Sequence, residues 1–298
     1  MDVISDILRT FRLNANVYHN AQYCGNWVMN GVQTPTASFH FISHGCCYLH
    51  LLEQPSIRLQ QGDLLLFPRS QAHIITAEPK LELENKKQDY FTYQQGILPE
   101  STGLVCGLLK LEHYKRHPLL DELPAVVVMR HDDISQPWLQ PLLTMLNQEL
   151  LDNSAGSEAT IDKLVDVLFI KVIRHYLKKH KSEKGLLAAL NDKPLHEALK
   201  LMHQDISIAW DLATLANQVG LSRSVFAERF KLVMGDTPIH YLTKWRMQQA
   251  YMWLKEENNS VLSASVRCGY QSEASFSKSF KKIMGFGPGQ ARRRVLAS

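Results

Sequence analysis

Two short stretches near the C-terminus carry the side chains best suited to chemistry on a polyanion. Arg223, Ser224, Ala227, Glu228 and Lys231 lie in GLSRSVFAERFKLVMGDTP, which starts at Gly220. Glu273, Ser275, Ser277, Lys278, Lys281 and Lys282 lie in GYQSEASFSKSFKKIMGFGP, which starts at Gly269. At helical spacing these positions form outward faces. Polar groups near a helix start can reach base edges, and lysines farther along suit phosphates.

A charged helix face is more often only solvated, so the weight falls on the elements that would position it. The two stretches are copies about fifty residues apart: Phe226 matches Phe276, Phe230 matches Phe280, Met234 matches Met284, Gly235 matches Gly285 and Pro238 matches Pro288. Internal repetition of this kind marks one structural unit used twice. Each copy reads as a helix-turn-helix. In the first, Asp211 caps DLATLANQV, Ala213 and Ala216 permit close helix contact, Gly220 turns the chain and Ser222 caps the next helix. In the second, SVLSASVRC plays the first part, Gly269 turns and Ser272 caps. The phenylalanines, four apart, face the core, so specificity must lie in the dissimilar residues between them. Between the copies TPIHYLTKWRMQQAYMWLKE predicts one long helix after Pro238, a spacer that holds two readers about one DNA turn apart.

Charge supports this division. From Leu195 to Ser298 there are 14 Lys and Arg against 8 Asp and Glu, while the rest of the chain has 19 against 21, so the basic segment is the nucleic-acid candidate. The N-terminus carries Asp2 and Asp6 and no signal-like apolar run, and no window reaches membrane-span length. Five scattered cysteines do not make a disulfide framework, which predicts a reducing, cytoplasmic setting.

From about Ala37 to Leu111, short alternating runs (SFHFISHG, CCYLHLL, IRLQQGDLLLFP, AHIITA, TGLVCGLLKL) predict an antiparallel sandwich or barrel, with Lys80 to Glu100 as a long loop. Beyond His117-Pro118, helices are predicted over about Gln136 to Leu151 and Glu158 to Lys179. The stripe Ile161, Leu164, Val165, Leu168, Val172 and Ile173 on the second fits either packing on the barrel or a dimer seam. The expected fold is α+β in two domains, 1–182 with the barrel and its helices and 190–298 all-α, with KKHKSEK as the boundary.

The tandem helix-turn-helices, with F-x-x-x-F-K and G-x-x-P in both copies and a long helix between, resemble the AraC family of regulators over about Leu195 to Arg294. FGPGQARRR departs from that family's usual ending. The resemblance implies double-stranded promoter DNA as partner, with a second copy of the chain and RNA polymerase as further partners, and no membrane. GDLLLFPRSQAH resembles the second cupin motif, with Ser70 in place of a glycine and His73 at a position that ligates metal in metal-binding cupins. The first motif's histidines and glutamate are absent; FHFISHG offers only His40 and His44.

YCGNW, FHFISHG, PRSQAH and LVCG together resemble the cupin-bearing AraC-type regulators that include a sensor of reactive chlorine species. That resemblance implies an oxidant-responsive pair, Cys24 and Cys106, with His40 and His73 near them. Two thiolates and two imidazoles would also suit tetrahedral zinc, or another transition metal. Equally, a cysteine within GLVCGLL reads as a small buried hydrophobe. Cys46 and Cys47 point to opposite faces of a strand, and Cys268 reads as core. The expected function is a non-enzymatic DNA-binding regulator whose cupin-like domain senses an oxidant, metal or small molecule. A cupin metalloenzyme with an accessory DNA domain and a constitutive DNA-binding protein with a dimerisation barrel are the competing readings.

Overall fold

The computed structural model describes residues 3–10, 13–31, 36–69, 71–81, 90–93, 96–111, 120, 122–152, 154–180, 184–256 and 259–293. Ser70 and the turn expected at His117-Pro118 lie outside the described residues. The chain divides into two compact units, Phe11–His180 and, as the second, Met1–Thr10 together with Lys181–Ser298. In this division the helix over residues 3–10 groups with the helical residues.

The first unit holds strands β1 (Leu13–Tyr23), β2 (Val28–Asn30), β3 (Ala37–His44), β4 (Cys46–His50), β5 (Ile57–Gln60), β6 (Leu64–Phe67), β7 (Ile74–Thr76), β8 (Tyr90–Phe91), β9 (Thr102–Leu111) and β10 (Val127–Met129). They form a six-stranded sheet, β10-β6-β3-β9-β1-β8, and a four-stranded sheet, β2-β7-β4-β5, with antiparallel pairing throughout. Among the described residues no strand pairing joins the sheets, so the expected barrel is two facing sheets. The segment expected as a loop from Lys80 to Glu100 contains β8, which pairs with the end of β1.

Side-chain alternation explains both faces of the large sheet. Ile42, Leu65, Phe67, Leu104 and Cys106 turn inward onto Met29, Cys47, Leu49, Leu59 and Ile75 of the small sheet. Phe39, Leu64, Leu66 and Leu109 turn outward. Helices α2 (Leu139–Asp152) and α3 (Ser157–Lys179) follow, and Val165, Leu168, Phe169 and Val172 of α3 cover that outer face. The apolar stripe is therefore spent on the sheet for most of its length. Its first positions, Ile161 and Leu164, are only half-buried.

Asp63, from the cupin-like motif, ties the β5–β6 turn to the chain leaving β10. Its Oδ1 accepts from the His131 backbone N–H (2.9 Å) and Nδ1 (2.8 Å), and its Oδ2 from the Gln60 N–H (3.0 Å) and Arg130 Nη1 (2.8 Å). Burial alone would raise this carboxyl, but the converging donors hold it below the usual carboxylate range.

The second unit holds α1 (Val3–Thr10), α4 (Gly185–Asn191), α5 (Lys193–Gln204), α6 (Leu212–Gln218), α7 (Arg223–Met234), α8 (Pro238–Glu256), α9 (Val261–Arg267), α10 (Glu273–Met284) and α11 (Pro288–Arg293). Val3, Ile7 and Leu8 of α1 are buried, and α1 packs against α5. Among the described residues no helix is long and apolar enough to cross a membrane.

Candidate nucleic-acid interface and sensory core

The reading helices are built as the repeat requires. The Asp211 carboxylate accepts from Thr214 N–H at 2.7 Å and, with the Thr214 hydroxyl, completes a capping box on α6. Ser222 and Ser272 cap α7 and α10 by accepting from the N–H groups of Val225 (3.3 Å) and Ser275 (3.2 Å). A fourth cap, Ser260 on α9, was not foreseen, although serine before SVLSASVRC's helical run carries the same signal. Gly220 and Gly269 adopt φ of 69° and 74°, a left-handed turn that side chains disfavour. Phe226, Phe230, Phe276 and Phe280 are fully buried, each contributing about 2–3 kcal/mol of apolar burial. Cys268 and Ala216 are also core. Ala213 is exposed, because the close helix contact falls only on Ala216's face.

Arg223, Ser224, Glu228 and Lys231 on α7, and Glu273, Ser275, Lys278, Lys281 and Lys282 on α10, are exposed. Ala227 and Ser277 are half-buried. These two occupy the same place in the repeat, directly after the first core phenylalanine, where the helix turns inward. Three other arginines in this unit are committed internally: Arg229 binds Asp192 (2.7 Å), Arg267 lies over Trp253 (3.8 Å), and Arg246 donates to backbone carbonyls. Burial and pairing thus separate outward charges from structural ones, which sequence position alone does not.

In the sheet unit, β3 and β7's approach bring His40 and His73 together: their Nε2 atoms are 2.9 Å apart, and both rings are buried. His73 Nδ1 donates to the Gln71 carbonyl at 2.7 Å. Burial lowers the pKa of both imidazoles, His40 the more, with neighbouring His73 and His19 adding to the effect there. Each ring therefore carries one hydrogen. The network assigns the His73 hydrogen to Nδ1, so its Nε2 accepts from His40 Nε2–H, and His40 Nδ1 is left bare and without a partner. The His73 ring is clamped. It stacks on Phe67 (3.8 Å between centroids, 8° between planes), and a methyl group added at Gly31 would overlap it.

Cys106 is the cross-strand neighbour of His40 on β9, and His19 flanks it on β1. Its Sγ lies 3.7 Å from Met29 Sδ, and burial pushes its thiol pKa far up. This is a protonated, poorly nucleophilic sulfur. Cys24 is half-buried, just beyond β1 and five residues from His19. Tyr23, which ends β1, pairs with Thr102, four positions along β9 from Cys106 and about 13 Å at strand rise, whereas a disulfide needs Cα atoms roughly 4–7 Å apart. The structure thus brings His40, His73 and Cys106 into one region, with Cys24 following the end of β1. Among the described residues no group of three or more His, Cys, Asp and Glu is disposed to hold a metal ion. The tetrahedral quartet Cys24, His40, His73 and Cys106 therefore does not fit zinc as these side chains stand. Met29 and Gly31, which also shape the region, belong to no sequence motif, and Gln71 enters it through its backbone carbonyl.

Comparison with known proteins agrees with this architecture. The cupin family profile matches residues 2–178, and a helix-turn-helix domain profile matches 215–294. An uncharacterised HTH-type transcriptional regulator of Haemophilus influenzae is 29% identical over 99% of both chains. A putative AraC-like transcription regulator of Streptomyces lividans is 28% identical over 98% of both. The RCS-specific HTH-type transcriptional activator RclR of Escherichia coli is 26% identical, covering 99% of this chain and 98% of its own. With a cupin region and a tandem helix-turn-helix region in one chain, this protein belongs to the cupin-bearing, AraC-type family of DNA-binding transcription regulators.

Proposed function

We propose that the chain is a cytoplasmic, non-enzymatic regulator that reads a specific promoter sequence through α7 and α10 and takes its signal in the sheet unit. The observation that carries the DNA reading is the pair of capped, structurally equivalent helices whose exposed residues differ. Arg223, Ser224, Glu273 and Ser275, in the first turns, would reach base edges; Lys231, Lys278, Lys281 and Lys282 would meet phosphates. Because the two sets differ, the two helices read different bases. A second copy of the chain and RNA polymerase are the further partners of this reading.

The signal site is read as the His40–His73–Cys106 region, and the signal as an oxidant or small molecule. A bare imidazole nitrogen inside an apolar core costs stability, which is a reason to look for function there. An oxidant meets half-buried Cys24 before fully buried Cys106, and coupling the two would require β1 to shift relative to β9. A transition-metal ion at His40 and His73 is the second reading, favoured by the carbonyl that fixes the His73 tautomer as outer partners fix metal-ligating histidines. The test is a footprint of purified protein on DNA selected from a random pool, with and without hypochlorite or a chelator, together with metal analysis. Selection of no sequence would sink the DNA reading. A response unchanged in Cys24→Ala/Cys106→Ala would sink the redox reading. Absence of bound metal would sink the second.

A further inference from the structure

The two reading units are joined by α8, but α8 is not their only connection. The loop Asp205–Ile208 leaves α5 on the side of the first unit, and its backbone is held by the second. From the middle of α8, Arg246 Nε donates to the Ile206 carbonyl (2.7 Å) and Nη2 to the Ile208 carbonyl (2.6 Å). The Ile206 side chain packs into the core formed by Met247, Tyr251, Cys268 and Phe276. Asp205 shapes the loop by accepting from the Ser207 N–H and hydroxyl (2.9 and 2.6 Å). Gly269, the turn glycine of the second unit, lies so close to the Ser207 carbonyl that a methyl group there would overlap it. Its repeat partner Gly220 has the same left-handed backbone, yet a methyl there would meet nothing within 4 Å among the described residues. The repeat is therefore broken at one place by a contact between its halves.

We infer that Arg246, Gly269 and the 205–208 loop form a clasp that fixes the separation and rotation of α7 relative to α10, so that the protein accepts only one spacing between its two half-sites. Arg246 is a positioning residue here, its guanidinium used on backbone carbonyls and not on DNA. A helix alone can bend and each unit can rock at its end; a second attachment across the loop removes that freedom. This inference rests on the DNA-binding reading, and the experiment separates the two.

The probe is a duplex selected by the full-length wild-type chain from a random pool, plus derivatives with one or five base pairs inserted between the protected halves. Five base pairs turn the second half about half a helical turn away. Wild-type affinity should fall about tenfold with one inserted pair and more with five. In Gly269→Ala and Arg246→Met the penalty for one pair should shrink to about twofold or less, with some loss on the parent duplex. Gly220→Ala, which carries the same backbone strain without the overlap, should keep the wild-type profile. Arg246→Lys keeps a cationic donor on a single nitrogen in place of the two-nitrogen fork, should fall between, and serves if Arg246→Met does not fold. An unchanged spacing profile in Gly269→Ala and Arg246→Lys, or equal flattening in Gly220→Ala, overturns the clasp. Failure of the wild type to select any duplex overturns the DNA reading itself.

Discussion

Replacing His40 and His73 together by leucine should make the sheet unit more resistant to acid while removing its response to the signal. In the folded chain burial keeps both imidazoles neutral, whereas in the unfolded chain they return to their ordinary value of 6.5. Below that value the unfolded chain binds more protons than the folded one, so stability falls as pH falls and is complete above it. From pH 6.5 to 5.5 His40, held well below its ordinary value, contributes RT ln(11/2), about 1 kcal/mol, and His73, lowered by burial against the raising pull of the Gln71 carbonyl, adds in the same direction. At neutral pH the substitution should be close to neutral. Losing the His40–His73 hydrogen bond and the Phe67 stack costs about 2 kcal/mol, and removing the unpartnered His40 Nδ1 returns about 1–3 kcal/mol. Hydrogen exchange of peptides from β3 and β9 at the two pH values reads this unit alone. The stability difference between pH 6.5 and 5.5 should shrink by about 1 kcal/mol or more in the double variant. An undiminished difference would refute the assignment of a neutral, buried pair.

Further outcomes follow from single contacts. Asp63→Asn deprives Gln60 N–H and Arg130 of their acceptor and should cost about 2–4 kcal/mol, lowering the calorimetric melting temperature of the sheet unit by about 5–15 °C. Because the Asp63 pKa is depressed, its contribution should be present above the ordinary carboxylate value and vanish as pH falls through the folded one. Gly31→Ala should displace the His73 ring, seen as a changed imidazole nitrogen shift by NMR and a lost signal response. Lys281→Glu should weaken binding to all duplexes and reduce the slope of log affinity against log salt by about 1–2; an unchanged slope in anisotropy titrations would remove Lys281 from the interface. Ile7→Asp places a charge in the buried face of α1 and should release that helix, destabilising the helical unit by about 2 kcal/mol or more and exposing residues 1–10 to limited proteolysis.

How much was legible in the sequence depended on the range of the interaction. Asp211, Ser222 and Ser272 cap within three residues, and Phe226 with Phe230 share a face through helical spacing alone. Such features need no knowledge of the rest of the chain, and duplication made them visible twice. The strands' alternation likewise announced an antiparallel sheet fold, but not that among the described residues its two sheets share no strand pairing, nor that β8 within the expected loop pairs with the end of β1.

The sequence by itself determined the reading apparatus: two helix-turn-helices with their caps, turns and cores, a long helix between them, and a basic balance, because each rests on local backbone preference and periodic burial. Only the tertiary structure decided which chemistry-bearing residues meet. Register on β9 set Cys106 beside His40 and placed the end of β1, which Cys24 follows, four positions along from it, and packing closed His40 onto His73, thirty-three residues distant. It also turned Arg246 inward to the 205–208 loop and laid α1 on the helical unit. These are long-range pairings, selected by how whole faces of sheet and helix bury one another, and no local pattern of residues encodes them.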